Sequence, residues 1–164
     1  MLRKSVGIVL LLASYSLGQS QPSSVPPARL NHLRHGINLS EWFAQVYDPL
    51  GYTKQHFESW NTTADIALIK SAGFDHVRLS VNPEPMMEHR GGMQEYFGYL
   101  DHAIKMILDA GLAVEVDLHP DSDFKARLKD DEFVERFADF WRAVAKHYSS
   151  WDPDRVFFEI LNEP

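Results

Sequence analysis

The chain switches repeatedly between a helical spacing of apolar residues and the strict alternation that is typical of strands. Thr62 to Gly73 predicts a helix, because Thr62 or Thr63 can cap its start and Gly73 suits the positive φ that often follows a helix end. Its buried face is expected to hold Ile66, Ile69 and Ala72. Phe74 to Asn82 then predicts a strand of alternating aliphatic and polar residues, which two prolines terminate.

The same construction recurs about forty residues further along the chain. Glu95 to Gly111 predicts a second helix, and Leu112 to Pro120 predicts the strand that follows it. Residues 131–150 predict a third helix and Asp154 to Pro164 a fourth strand, while His35 to Phe43 is the candidate for the first strand. Strands that alternate with helices imply a parallel sheet with crossover connections.

Two architectures fit this repeat, a doubly wound sheet and a (β/α)8 barrel. A doubly wound sheet is covered by helices on both faces, so its strands should be apolar on both. Here three strands carry polar residues opposite their aliphatic ones, and no strand runs into a Gly-rich phosphate-binding loop. The polar positions are Arg78, Ser80, Asp117, His119, Glu159 and Glu163. The sequence therefore predicts an α/β fold of the (β/α)8 TIM-barrel type, truncated after the fourth strand to a half-barrel.

Composition narrows the classes of function. Lys and Arg number 16 against 23 Asp and Glu, and the resulting formal net charge of -7 argues against a nucleic-acid partner. Cysteine is absent, which excludes disulfides, thiolate nucleophiles and cysteine metal sites from these 164 residues. The apolar content of 45% is enough for one packed domain.

The N-terminal region predicts secretion. A short basic region precedes an apolar stretch, Val6 to Leu17, and small residues follow, so residues 1–20 are predicted to be a signal peptide. Cleavage is expected at about Gly18, with Ser20 as the alternative site. An uncleaved membrane anchor is the competing interpretation, which we disfavour because no stop-transfer pattern follows. Residues 21–33 predict an extended Pro/Ser-rich linker, and residues 34–164 the folded domain of an extracellular protein without membrane contact after cleavage.

Polar residues at the predicted strand ends are the candidates for chemistry. The C-terminal ends of barrel strands meet at one mouth, so residues far apart in sequence can share a site there. A carboxyl group beside arginine, histidine and asparagine suits acid/base work on a hydroxyl-rich substrate. Burial against aromatic residues would raise the pKa of such a carboxyl group, so that it could donate a proton near neutral pH. The strand-end residues are Asn38, Arg78, His119, Asn162 and Glu163.

Several of these residues also have a simpler structural interpretation. Arg78 could form an ion pair that serves only the fold. Trp42, with Phe43 and Tyr47, could stack on sugar rings or could pack beneath a loop. The stretch HPDSD, from His119 to Asp123, could be imagined as a set of metal ligands, but it has no second histidine cluster, so neither a metal nor any other cofactor is expected.

Four stretches, GINLSEWF, AGFDHVRLSV, GLAVEVDLHP and VFFEILNEP, in this order and spacing, resemble family 5 of the glycoside hydrolases, which includes cellulases and related β-glycanases. The resemblance implies that Glu163 is the general acid/base of a retaining two-carboxylate mechanism. It implies that Asn162 and His119 bind the sugar that is cleaved, and that Arg78 orients the nucleophile. Asn38 is a weaker match near the first strand. The implied partner is a β-linked polysaccharide or oligosaccharide.

The resemblance also implies missing parts. In that family the nucleophile is a second glutamate on the seventh strand, and the sequence stops at the fourth. A missing C-terminal half is therefore expected to complete the barrel, and the 164 residues alone are expected to be inactive. Two alternatives remain open: a half-barrel that binds glycans or self-assembles without catalysing hydrolysis, and an unrelated barrel lyase or hydrolase that uses Glu163 differently.

Overall fold

The computed structural model describes residues 25–88 and 92–164, which fold around one four-stranded parallel sheet. The strands are β1 (Gly36–Phe43), β2 (His76–Val81), β3 (Ala113–Leu118) and β4 (Val156–Glu159). The helices are α1 (Pro27–Asn31), α2 (Lys54–Ser59), α3 (Thr63–Ser71), α4 (Glu84–Glu88), α5 (Met93–Asp109), α6 (Ser122–Arg127) and α7 (Asp131–His147). The predicted signal peptide lies outside the described residues.

The order of the strands decides between the two architectures. Neighbours in the sheet follow the chain order, β1-β2-β3-β4, and every pair is parallel. A doubly wound sheet would reverse its order at a switch point, whereas a barrel adds each strand beside the previous one. The prediction of a (β/α)8-type half-barrel is confirmed.

The two faces of the sheet differ in polarity as the alternation predicts. The aliphatic face packs against the helices in one core cluster, and it includes Val77, Leu79, Val114, Val116 and Val156. The opposite face carries Asn38, Arg78 and Glu115 in one register row, followed by Ser80, Asp117 and Glu159 in the next. Such a polar inner face corresponds to the interior of a barrel near its mouth.

The three long helices form where the spacing predicts them. Thr62 precedes α3, and its backbone N–H donates to the Asp65 carboxylate at 2.8 Å, which completes a capping box. Gly73 follows with a φ of 91°, the left-handed conformation predicted for it. Ile66 is buried as expected, but Ala72 is exposed, so its prediction as a core residue is wrong; α3 already ends at Ser71.

Two boundaries differ from the prediction. The helix α1 occupies part of the segment predicted to be an extended linker, and Arg29 within it pairs with Asp154 at 2.8 Å. The strand β4 ends at Glu159 rather than continuing to Pro164, and Ile160 directly after it is 68% exposed. Within the described part of the chain β4 pairs only with β3, so nothing on its other side extends the ladder.

Among the residues that the structure describes, no helix combines the length and the apolarity that crossing a bilayer would require.

A close contact between β1 and β2 leads to the first prediction. A Cβ atom at Gly36 would overlap the imidazole ring of His76. That ring cannot move easily, because its Nδ1 lies 2.7 Å from a carboxylate oxygen of Asp75, which also accepts the backbone N–H of His35 at 3.0 Å. We therefore expect Gly36→Ala to lower the free energy of unfolding by about 1–3 kcal/mol in urea denaturation.

The matched control is the double variant Gly36→Ala/His76→Ala, in which the overlap is absent. It should be as stable as His76→Ala alone. An equal loss in both backgrounds would show that the contact with His76 is not the cause.

Candidate active site

Arg78 is the centre of the polar face. Its Nε and one terminal nitrogen lie 2.9 and 2.8 Å from Oε2 of Glu159, and its other terminal nitrogen lies 3.0 Å from Oδ2 of Asp117. These contacts form because β2, β3 and β4 are adjacent and their side chains alternate in the same register. Asp117 is fully buried. The arginine therefore compensates two carboxylates on neighbouring strands.

The same guanidinium also holds two amides. It donates to Oδ1 of Asn38 at 3.1 Å and to Oδ1 of Asn162 at 3.1 Å. Asn162 lies beyond β4, but its backbone N–H donates to the Leu118 carbonyl at 2.9 Å, which keeps it beside β3. The predicted meeting of residues from four strand ends therefore takes place around Arg78.

His119 completes the cluster. Its Nδ1 lies 2.8 Å from Oδ2 of Asp117, and its Nε2 lies 3.4 Å from Nδ2 of Asn162. Burial raises the pKa of Asp117, and the hydrogen bond with His119 and the charge of Arg78 oppose that rise only in part. The structure thus brings together four of the predicted site residues, Asn38, Arg78, His119 and Asn162.

Glu163 follows this cluster directly but is itself exposed. The burial against aromatic residues that would raise the pKa of such a carboxyl group is not found for Glu163 in this structure, where β4 already ends at Glu159. The backbone of Glu163 has a φ of 47°, and Nζ of Lys125 donates to its carbonyl oxygen at 3.2 Å. A positive φ outside glycine is strained and is concentrated at functional sites.

The prediction that Trp42 stacks on a sugar is wrong. Its side chain is 0% exposed, and its Nε1 donates to the Phe57 carbonyl of α2 at 2.8 Å. Phe43 is buried beside it, against the ring of Phe57. Packing under α2 is thus the correct interpretation of both residues, whereas Tyr47 remains 79% exposed.

A cleft of about 710 Å³ opens beyond the ends of β1, β2 and β3. Sequence reasoning pointed to Tyr47 and His119 in its wall but not to the two further tyrosines there, Tyr52 and Tyr96. Tyr52 follows β1 in a loop, and Nδ2 of Asn82 lies 3.3 Å from its hydroxyl group. The alternation of strand residues carries no signal for Tyr52 in its loop or for Tyr96 on α5. The lining comprises Gln45, Val46, Tyr47, Tyr52, Asn82, Glu84, Pro85, Glu88, Tyr96, His119, Pro120 and Asp121.

The HPDSD stretch has a structural role at this rim. The Asp121 carboxylate accepts the backbone N–H groups of Asp123 and Phe124 and thereby caps α6. Across residues 25–88 and 92–164, no group of three or more imidazole and carboxylate side chains is arranged to hold a metal ion.

The comparison with known proteins accounts for this geometry. The family model described as cellulase, glycosyl hydrolase family 5, matches residues 38–164, from Asn38 on β1 to the end of the chain. The chain belongs to this family. The match includes every residue of the Arg78 cluster and Glu163, so the family resemblance of the four strand-end stretches is confirmed.

Curated relatives and solved structures agree with this assignment. Endoglucanase C of Acetivibrio thermocellus is 34% identical over 139 residues, which cover 78% of this chain and 39% of that protein. Cellodextrinase A of Ruminococcus flavefaciens is 29% identical, with the same shares covered. The endoglucanase Cel5A from Thermotoga maritima superposes with a TM-score of 0.66 at 30% identity, over 85% of this chain and 44% of that one. The chain thus spans about two fifths of the length of these proteins.

Proposed function

We propose that the full-length protein hydrolyses β-glycosidic bonds in a β-linked polysaccharide, as an endoglucanase-type glycoside hydrolase. The observation that carries the proposal is the cluster of Asn38, Arg78, His119 and Asn162 at one end of the sheet, with Glu163 next to it in sequence. Membership of the family and the similarity to proteins named endoglucanases support the same conclusion.

The chemistry follows from the residue types. Glu163 serves as the general acid that protonates the leaving oxygen and then as the base that activates water. Asn162 offers an N–H donor to a sugar hydroxyl group beside His119, whose two ring nitrogens contact Asp117 and Asn162, and Arg78 supplies positive charge beside an ionised carboxylate. A retaining mechanism needs a second carboxylate about 5–5.5 Å from the acid.

The carboxylates on the described inner face are poor candidates for that nucleophile. Asp117 is fully buried and therefore out of reach of a sugar, and Glu159 lies in the same register row, below the strand-end residues. Glu115 stands in the register row of Arg78, one row further from the mouth than Asp117. We therefore place the nucleophile in a part of the protein beyond these 164 residues, and we expect the 164-residue chain to be inactive alone.

The cleft defines the class of substrate. Tyrosine rings and acidic side chains line it, a combination that suits the apolar faces and hydroxyl groups of a neutral sugar chain. The Thermotoga maritima Cel5A has been solved with cellobiose and with mannotriose, so glucans and mannans are the substrates to test first. Secretion after signal-peptide cleavage is part of this proposal, since polysaccharides are extracellular.

The direct test is an assay of the full-length protein on β-1,4-glucan and β-mannan, with release of reducing ends as the readout. Proton NMR of the first product should show retention of the β configuration, as expected for two carboxylates at the shorter separation. Inversion, or no hydrolysis of any β-glycan, would contradict the proposal.

A second candidate function is glycan binding or self-assembly without hydrolysis. Two observations favour it: Glu163 is exposed, and β4 has a strand partner on one side only within the described residues. Binding of oligosaccharide by a protein that never releases reducing ends would support this alternative.

Tyr47 provides a prediction for the cleft. Because its ring is 79% exposed at the cleft wall, we expect Tyr47→Ala to remove about 1 kcal/mol of apolar contact with the sugar chain. In the full-length enzyme this corresponds to a roughly fivefold increase in KM with little change in kcat. Tyr99→Ala is the control, since its ring lies outside this cleft; an equal effect of the two substitutions would remove Tyr47 from the binding surface.

A further inference from the structure

Four side chains of the site form a closed ring of three hydrogen bonds and one ion pair. Oδ2 of Asp117 lies 2.8 Å from Nδ1 of His119, and Nε2 of His119 lies 3.4 Å from Nδ2 of Asn162. Oδ1 of Asn162 accepts from Arg78 at 3.1 Å, and a terminal nitrogen of Arg78 lies 3.0 Å from Oδ2 of Asp117. Every member contacts the next one, and the last contacts the first.

The chemistry of the four groups determines which of them donates and which accepts at each contact of the ring. An ionised carboxylate only accepts hydrogen bonds and a guanidinium only donates them. Nδ1 of His119 must therefore carry a proton toward Asp117, and in the neutral imidazole Nε2 is then an acceptor. Asn162 satisfies that acceptor with its NH2 group, while its oxygen faces Arg78. The opposite tautomer would set lone pair against lone pair at Asp117 and N–H against N–H at Asn162.

We infer that Asp117 is a positioning residue, which fixes the tautomer of His119 and thereby, together with Arg78, holds the Asn162 amide in one orientation. The consequence for catalysis rests on the proposed function. With one N–H of Asn162 directed at His119, the second N–H of the same group is left to donate to a substrate hydroxyl beside Glu163. Without Asp117, Arg78 still holds the Asn162 oxygen, but the Nδ1-protonated tautomer of His119 loses its acceptor, so the Nε2-protonated form, which cannot accept from Asn162, becomes accessible.

Burial favours this role over a purely structural one. Asp117 is 0% exposed, and its Oδ1 has no hydrogen-bond partner among the described residues, so the hydrogen bond with His119 and the ion pair with Arg78 both meet at Oδ2. A buried carboxylate is costly, and an apolar residue of similar volume commonly serves a fold equally well or better. The carboxylate is useful only where an acceptor is required at this position.

The test is the tautomer itself, read from ¹⁵N chemical shifts of histidine in the labelled full-length protein near neutral pH, with His119→Gln to assign the signal. We expect His119 to be protonated at Nδ1 in the unchanged protein. In Asp117→Ala the share of the Nε2-protonated form should increase, and in Asp117→Asn, whose amide oxygen still accepts, the Nδ1-protonated form should return. Ser80→Ala is the matched control, because Ser80 is equally buried on the adjacent strand and makes no bond to the ring.

Two results would overturn the inference: Nε2 protonation of His119 in the unchanged protein, or an unaltered tautomer in Asp117→Ala. Should Asp117→Ala fail to fold, Nε2 protonation of His119 in the unchanged protein or in Asp117→Asn would still overturn the inference. In the active enzyme we expect Asp117→Ala to lower kcat/KM about 10²-fold and Asp117→Asn to restore most of it. If the unchanged protein hydrolyses no glycan, the proposed function fails while the tautomer measurement still tests the positioning role.

Discussion

Glu163→Gln is expected to lower the hydrolysis of unactivated β-glucan by about 10²- to 10⁴-fold in the full-length protein, with the fold unchanged. The amide has nearly the same shape as the carboxyl group but cannot donate a proton to the leaving oxygen. Because Glu163 is exposed and its contact with Lys125 is made by the backbone carbonyl, the substitution removes no packing. The measurement is kcat on a soluble β-glucan, beside a urea denaturation curve.

The choice of substrate makes this test specific for an acid. An aryl glycoside with an acidic phenol as leaving group needs little protonation, so Glu163→Gln should retain most of its first-step rate on that substrate. Glu135→Gln, a substitution of an exposed glutamate on α7, should change neither activity. Wild-type rates of Glu163→Gln on the polysaccharide would exclude Glu163 as the acid/base.

Arg78→Met is expected to produce the largest loss of stability, about 3–5 kcal/mol in urea denaturation. The arginine compensates Asp117, which is fully buried, and Glu159, which is partly buried. Removing one partner of such a pair leaves an uncompensated buried charge, and that desolvation cost dominates. Arg142→Met is the control: its pair with Asp139 is exposed to solvent, and such pairs contribute at most about 1 kcal/mol.

The pH dependence of the Arg78 variant has a definite sign. The pKa of Asp117 is already raised by burial, so its native state holds a proton more readily than the unfolded chain does. When folding raises the pKa of a carboxyl group, the free energy of unfolding has its full value at pH values below the pKa of that group in the unfolded chain. It decreases as the pH rises from there through the pKa of the group in the folded state. Loss of Arg78 raises that pKa further. The deficit of Arg78→Met should therefore be smaller near pH 4 than near pH 7.

A double variant separates the charge from the packing. Arg78→Met/Asp117→Asn carries no buried charge at position 117, so it should recover a large part of the stability lost in Arg78→Met, and its stability should lose most of the pH dependence. If the changes in the free energy of unfolding of the two single substitutions simply add in the double variant, Arg78 and Asp117 are not energetically coupled. That result would contradict the coupling expected from the 3.0 Å contact between them.

Much of the fold could be predicted from the sequence because it depends on local spacing. The segments that became α3, α5, α7, β2 and β3 repeat apolar residues at helical or strand period, and each such period exposes one face for burial. The alternation in β2 and β3 also separated the core-facing Val77 and Leu79 from the polar Arg78. The meeting of Asn38, Arg78, His119 and Asn162 could be anticipated, since parallel strands end at one edge.

Other features depend on which residues from distant segments come into contact. From the sequence, Trp42 is equally suited to stacking on a sugar and to packing in the core. The structure decides for the core, because α2 places the Phe57 carbonyl within hydrogen-bond distance of its Nε1. The partners of Arg78 on β3 and β4 depend on strand register, which no single strand contains. The sequence by itself determined the elements and the face that carries chemistry, because both follow from periodicity along one segment. Only the tertiary structure decided the ring through Asp117, the burial of Trp42 and the exposure of Glu163, because each depends on the side chains that neighbouring segments bring within a few ångströms.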